Sequence, residues 1–365
     1  MSFFDRLFRS KEEPIETYAD FWNWFTKHQL DFHKAVRTRD SSIVEREVFG
    51  LLGSALNQLR DGYFFLAGML DDSTAELVFT ADGNPKNVVF VEELVDAAPD
   101  IPGWQFTSLK QPVEGFDIRI NGIVFGTDSL SFFQNENIDQ PDLIDITIVH
   151  EAFDESDAQS ARNGAYIFLD NYLGELTFLE DIDELSFAGP ASVNKDLIPI
   201  DALPNYLETR RALFVEKYDG VRIFTENDEH ASYQAEHEDG SPLIAVMNTD
   251  LLKWDAKASH PWMLVITIGY DGTVNNGLPD QDTYEKLDAI EESLVSNLKD
   301  SEGYLYIGRQ SARGKRTVFI ACVDFRRPSK VAYEAKQRFS GSGELAVDYE
   351  IFKDKYWQSV SYFAG

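Results

Sequence analysis

The stretch WMLVITIG at residues 262–269, with the five segments that follow it, decides the fold. GLPDQDTYEKLDAIEESLVSNL (277–298) repeats apolar residues at the three-to-four spacing of a helix with one buried face. YLYIGRQ (304–310) and RTVFIACVD (316–324) have the composition of strands, PSKVAYEAKQRF (328–339) reads as a second helix, and ELAVDYEIFKDKYW (344–357) as a last strand. The order β-α-β-β-α-β is that of a ferredoxin-like unit at 262–360, one sheet with two helices on a single face.

Local signals agree with this order. Asp282 and Glu285 have the spacing of a capping box, and Tyr284, Leu287, Ile290, Leu294 and Leu298 form the stripe that the long helix buries. Pro328 opens the second helix, Val331, Ala335 and Phe339 share a face of it, and Gly341 follows as a C-terminal cap. WMLVITI is apolar on both alternation sets apart from Thr267, so both of its faces need cover. Two helices cover one. The other is expected to be packed by residues 211–260, by another domain or by a second subunit, the last making a homo-dimer.

Outward from this unit the pattern changes twice. Residues 211–260 read as strand and loop, with Asp239-Gly240 marking a hairpin turn. The stretch 188–210 holds three prolines, and 191–210 is the expected linker. Residues 1–190 are expected to form an α+β domain with leading helices. Phe21, Trp24, Phe25, His28 and Phe32 share a helical face, and Ser42 with Glu45 caps a second helix. YFFLAGML, AELVFTA, WQFTSLKQ, FDIRINGIVFG and LIDITIVHE read as strands, and NVVFVEELVDAAP as a helix. The fold class expected is therefore α+β throughout.

At 365 residues, 43% of them hydrophobic, the chain can build two or three cores. Its longest clean apolar run, Trp262 to Ile268, is too short to cross a bilayer, and the expectation is a cytoplasmic protein with no membrane role. Phe3, Phe4, Arg6, Leu7, Phe8 and Arg9 could at most make a short amphipathic anchor, a docked or frayed tail being the plainer alternative. Cys322 is the single cysteine, so no intrachain disulfide forms, and its place in TVFIACVD predicts a buried, inert thiol.

The formal charge of −30 argues against nucleic-acid binding by the whole molecule. Residues 301–365 nevertheless hold 11 basic and 7 acidic residues, a balance of +4, leaving 22 and 56, a balance of −34, for residues 1–300. The basic hairpin 309–330 is accordingly the candidate binding element. Arg309, Arg313, Lys315 and Arg316, extended by Arg326, Arg327 and Lys330, suit an acidic protein partner, a phosphate or RNA, and equally a solvated turn pairing with acids of its own chain.

The segment from about 228 to 327 resembles the bacterial domain-of-unknown-function family 695, on its GLP turn, the helix ending in IEESL, and IGR followed by GKR. Residues 262–362 resemble, more distantly, the regulator of ribonuclease E activity B, whose βαββαβ domain ends in an acidic, Tyr-rich strand with an aspartate and a tryptophan. VDYEIFKDKYWQSVSYF fills that place here, with Asp354 and Trp357. ELVDAAPDIPGWQFTSLKQP is similar to the N-terminal part of uncharacterised bacterial proteins. The regulator resemblance implies a protein that binds an enzyme and modulates it without chemistry of its own.

Motifs for chemistry are absent from the sequence: it has no GxxxxGK[ST], GxGxxG, HExxH or GxSxG, and no cofactor or metal site is expected. His28 and His33 would stand about 140° apart around a helix, and His230 and His237 sit loosely in an acidic loop. Glu291 and Glu292 read as a solvated helix face. The expectation is a non-catalytic interaction or regulatory protein with an unidentified protein partner. The alternatives are an RNA- or nucleotide-binding module using the hairpin, and a hydrolase with an interdomain site.

Overall fold

The aromatic stripe near the N-terminus forms the helix its spacing predicts. In the computed structural model, which describes residues 14–153, 158–221, 223–342 and 344–364, helix Tyr18–Arg37 is closed at its start by a reciprocal pair, Thr17 and Asp20. Phe21, Trp22, Phe25 and Phe32 are buried; Trp22, not Trp24, is the inward indole, and it donates to Leu94 O at 2.8 Å. Phe3 to Arg9 lie outside the described residues. Asp40, not Ser42, caps the turn Ser41–Val44 that follows. No helix of the described residues is long and apolar enough to cross a membrane.

The chain divides into two compact units, residues 1–112 with 174–176 and residues 113–173 with 177–365. The first carries a three-stranded sheet, Phe64–Met69 antiparallel to Ala75–Thr80 and the latter parallel to Trp104–Ser108, with helix Pro85–Asp96 as the crossover that parallel strands need. Glu175 is fully buried here, accepting from Thr80 Oγ1 at 2.5 Å, Gly83 N at 2.9 Å and Lys110 N at 3.2 Å.

The second unit corrects the expected domain map. A four-stranded sheet runs in the order Glu184–Ala188, Asp145–Val149, Ser131–Gln134, Ile198–Pro199. Its core of Phe132, Ile146, Ile148, Phe168 and Leu169 also takes in Ile200, Leu203 and Leu207. Those last three lie inside the expected linker 191–210, so that stretch is core and does not separate domains at 190. ALFVEKY, expected as strand, ends helix Leu203–Tyr218, because this helix buries only its first two turns and leaves Leu213 and Val215 exposed.

The unit's other sheet includes the stretch WMLVITIG. Its strands are β1 (His230–Glu236), β2 (Pro242–Asn248), β3 (Trp262–Gly269), β4 (Tyr304–Ala312), β5 (Lys315–Cys322) and β6 (Ala346–Lys353); its helices are α1 (Gln281–Asn297) and α2 (Arg326–Phe339). The order is β1-β2-β4-β5-β3-β6, and every neighbouring pair is antiparallel. The β-α-β-β-α-β succession is present, but the layer has six strands where four were expected. The hairpin β1–β2 joins the sheet at its edge and does not lie across the uncovered face.

That second face is closed from within the chain. Ala245, Met247, Met263, Leu305, Ile307, Phe319 and Ala321 meet Leu251 and Leu252 from the short turn after β2, and Trp357, Val360 and Phe363 from the C-terminal segment. Only part of the expected 211–260 stretch therefore serves as cover. The helix-bearing face takes Leu264, Ile266 and Ile268, in register with Tyr349 and Val318 on the strands to either side. Asp280 caps α1 two residues earlier than expected, and α2 buries Ser329, Ala332 and Ala335, not Val331. Asp183 in the loop before Glu184–Ala188 receives Lys353 Nζ at 3.0 Å and Lys355 Nζ at 2.6 Å, fastening the end of β6. Burial pushes the Lys353 ammonium below its ordinary value, and Asp183 opposes that shift.

Candidate functional site

The hairpin β4–β5 places its basic residues by strand alternation. Arg316 shares its side of β5 with Val318, Ile320 and Cys322, the side facing the helices, so its guanidinium runs under α1 and is 2% exposed. On β4 a bulge at Ile307 shifts the register between Tyr306 and Gly308. The shift turns Arg309 to the same side. Gly308 has φ +151°, and a Cβ there would stand 2.4 Å from Val246 O, so the close approach of β4 to β2 requires glycine.

Under α1 the two arginines meet two carboxylates. Arg309 Nη1 donates to Glu291 Oε1 at 2.7 Å and to Asp288 Oδ1 at 3.2 Å; Arg316 Nη1 donates to Asp288 Oδ1 at 2.7 Å and stands 3.6 Å from Glu291 Oε2. Tyr306 Oη donates to Glu291 Oε1 at 2.6 Å, Arg309 Nη2 to Tyr284 Oη at 2.8 Å, and Arg316 Nε to Ser311 Oγ at 3.3 Å. The Arg316 guanidinium also lies 4.8 Å from the Tyr284 ring centre. Two positive and two negative side chains make this cluster neutral. Burial, reinforced by the Glu291 charge, pushes the Tyr306 phenol far above its ordinary value.

The rest of the expected patch is dispersed. Arg313, at the turn with φ +49°, donates to Asp239 Oδ2 at 2.8 Å and to Ser241 Oγ at 3.1 Å, and its neighbour Lys315 is exposed. Ser241, with a smaller contribution from Arg313, holds the exposed Asp239 carboxyl down at about 2. Arg326, Arg327 and Lys330 belong to α2, beyond the far end of β5, roughly 23 Å along the strand from Lys315 at about 3.3 Å per residue. Arg326 meets Glu180 at 3.2 Å, Arg327 meets Glu302 at 2.9 Å, and Lys330 is exposed. Asp354 accepts from Gln358 N and Ser359 N at 2.7 and 2.9 Å, and Trp357 is buried with its indole donating to His260 O at 3.1 Å. Strand register thus divides the candidate residues into a largely buried stem, an exposed tip and a separate helix start.

Glu291, expected on a solvated helix face, is buried. The signal was present, since Leu287, Glu291 and Leu294 follow one helical stripe. Cys322 is buried as expected, and burial raises its thiol well above the ordinary value. His28 and His33 bind the carbonyls of Trp24 and Ser73 at 2.9 and 3.0 Å. Among the described residues no group of three or more His, Cys, Asp or Glu side chains converges as a metal site would.

Beside the neutral cluster the sheet has a strip that no helix of the described residues covers. Ile244 and Val246 of β2, on the helix-bearing side, are half-buried, and their β1 neighbours Gln234 and Ser232 are exposed. Between this strip and the start of α1 lies a cavity of about 280 Å³, lined by Ile244, Val246, Leu278, Pro279, Tyr284 and Ser311 among others. The loop before α1 forms one wall, fixed where Gly314 N and Tyr270 Oη both donate to Gly277 O, at 2.8 and 3.0 Å. Gly277 has φ +89°, and a Cβ there would meet Arg313 N at 2.9 Å. An apolar floor with a neutral polar wall can seat an apolar side chain, with the Tyr284 and Ser311 hydroxyls left to donate to a polar atom beside it.

Compared with known proteins, residues 232–363, about a third of the chain, match the model of a family of unknown function (DUF695). The resemblance drawn on residues 228–327 holds, and it reaches through β6 to the C-terminal turn. No curated protein and no solved structure matches the chain.

Proposed function

We propose that this is a non-catalytic, cytoplasmic interaction protein that engages a protein partner through the uncovered strip of β1 and β2 beside α1. One observation carries this: six strands are roofed by two helices on that face, and the strip left over borders an apolar cavity. The segments marking the family likeness meet at its edge. The arginines of IGR and GKR bind the glutamate of IEESL, and the GLP turn lines the cavity. The hairpin as an RNA-binding element has less support, because Arg309, Arg313 and Arg316 are matched by Glu291, Asp239 and Asp288 and bring little net charge to a phosphate backbone. Likewise Asp354 and Trp357, which carry the likeness to the ribonuclease regulator, are engaged inside the domain.

The test is capture from host extract on immobilised full-length chain, on Val246→Glu and on Arg313→Glu. The same partner should be retained by wild type and Arg313→Glu and lost from Val246→Glu. Equal retention by all three would refute the strip as the binding face, and retained RNA that elutes steeply with salt would point to the hairpin instead.

A further inference from the structure

The width of the uncovered strip fits one class of occupant. Strands lie about 4.8 Å apart and a helix with its side chains is about 10 Å across, so two helices roof about four strands. Among the described residues, a six-stranded face under α1 and α2 is therefore short of cover by about one helix, over β1 and β2. The strip offers Ile244 and Val246 as its apolar line, with the cavity of about 280 Å³ opening beside them toward Tyr284 and Leu278. That volume lies just below the range of small-ligand pockets and suits a single large side chain.

Charge narrows the occupant further. With Arg309 and Arg316 neutralised by Asp288 and Glu291, and Arg313 by Asp239, the charge beside the strip is set by Glu236 and Glu238 on the hairpin, Glu236 lining the groove with Gln234 and Ile244. Both are exposed. A second copy of this chain would bring the same acids and a further −30 of charge, which disfavours self-association. A basic partner would be attracted.

We infer that the strip receives an amphipathic helix of a partner protein, with one aromatic or large aliphatic side chain seated in the cavity and lysines or arginines along the flank facing Glu236 and Glu238. This rests on the interaction role proposed above and specifies its partner. The helix would lie beside α1 as the missing third member of the layer, docking by its apolar face as helices do in grooves.

The probe is a synthetic 18-residue peptide with leucines and one tryptophan at helical spacing and lysines elsewhere. Two controls accompany it, one with glutamate for every lysine and one with two prolines in the middle. Binding to the full-length chain is read by fluorescence anisotropy, and folding of each variant by its melting curve. The lysine peptide should bind, the two controls should not, and Val246→Glu should weaken binding about tenfold, the effect of one lost anchor. Val246→Glu adds negative charge, so a merely electrostatic association would strengthen instead and would overturn the inference. Ser232→Arg, at an exposed position that cannot disturb the core, should weaken binding as well. Equal binding of the proline peptide would overturn the helix in favour of an extended strand. A wild-type dimer dissolved by Val246→Glu would make a second copy the occupant. Absence of peptide binding, while a host partner is still lost from Val246→Glu, would refute the helix and leave the interaction role standing; loss of both results would remove both.

Discussion

Arg313 and Arg316 stand three residues apart in one hairpin and do opposite things. Arg313, 53% exposed at the tip, reaches across a turn to Asp239, which is itself exposed. Arg316, 2% exposed in the stem, lies beneath α1 with Glu291 and the half-buried Arg309, its nearer partner Asp288 standing at the 42% exposed edge of the cluster. The same side chain with the same kind of partner is a solvent-screened contact at one place and part of the domain's interior at the other. Sequence composition counts both as surface charge. Register decides between them.

The contrast can be broken most forcefully at the stem. Arg316→Ala leaves Glu291 with one arginine fewer and should cost about 3 kcal/mol in urea unfolding, the low end of the range for removing one partner of a buried pair, because Asp288 stays open to water and Glu291 keeps Arg309. Gly308→Ala should follow at about 2–3 kcal/mol, because the added carbon meets Val246 O and the residue is forced into a backbone region that side chains avoid.

Alkaline pH tests the stem in another way. The Tyr306 phenol is raised above its ordinary 10.0 by burial and by Glu291, so in this range the folded state holds a proton that the unfolded state loses. Its contribution is complete below pH 10 and is lost as pH rises beyond that value. Melting temperatures between pH 9 and 11 should fall for wild type and fall less steeply for Tyr306→Phe. The tip has its counterpart at the other end of the scale. Asp239 is held from 3.8 to about 2, so its contribution is present above the ordinary carboxylate value and is lost as pH falls toward 2. The smallest effect belongs to Arg313→Ala, under about 1 kcal/mol and shrinking with added salt, as for other exposed pairs. A loss as large as that of Arg316→Ala would erase the distinction between tip and stem.

Much of this was legible in the chain. The alternation in WMLVITI announced a strand covered on both sides, the period of residues 281–298 announced α1, and Asp239-Gly240 announced the β1–β2 turn. The inward position of Arg316 was legible too, since it alternates in step with Val318, Ile320 and Cys322, and so was that of Glu291 on the stripe of Leu287 and Leu294. The place of β1 and β2 in the sheet was not. β2 pairs with β4, more than 60 residues further on, and no local signal specifies a partner at that distance. Helix Leu203–Tyr218 was hidden for a different reason: its second half buries almost nothing, so its apolar residues keep no helical period. Ile200 and Leu203 in turn show that prolines punctuate a chain without making it a linker, because burial depends on what packs above them.

The stem arginines are shielded beneath α1 while the tip arginine is open to water. Arginine-selective modification of the native protein with phenylglyoxal, mapped by mass spectrometry, addresses this difference directly. Arg313 should react quickly, Arg309 and Arg316 slowly, and the three should converge in urea. Native Arg316 reacting as fast as Arg313 would contradict the account.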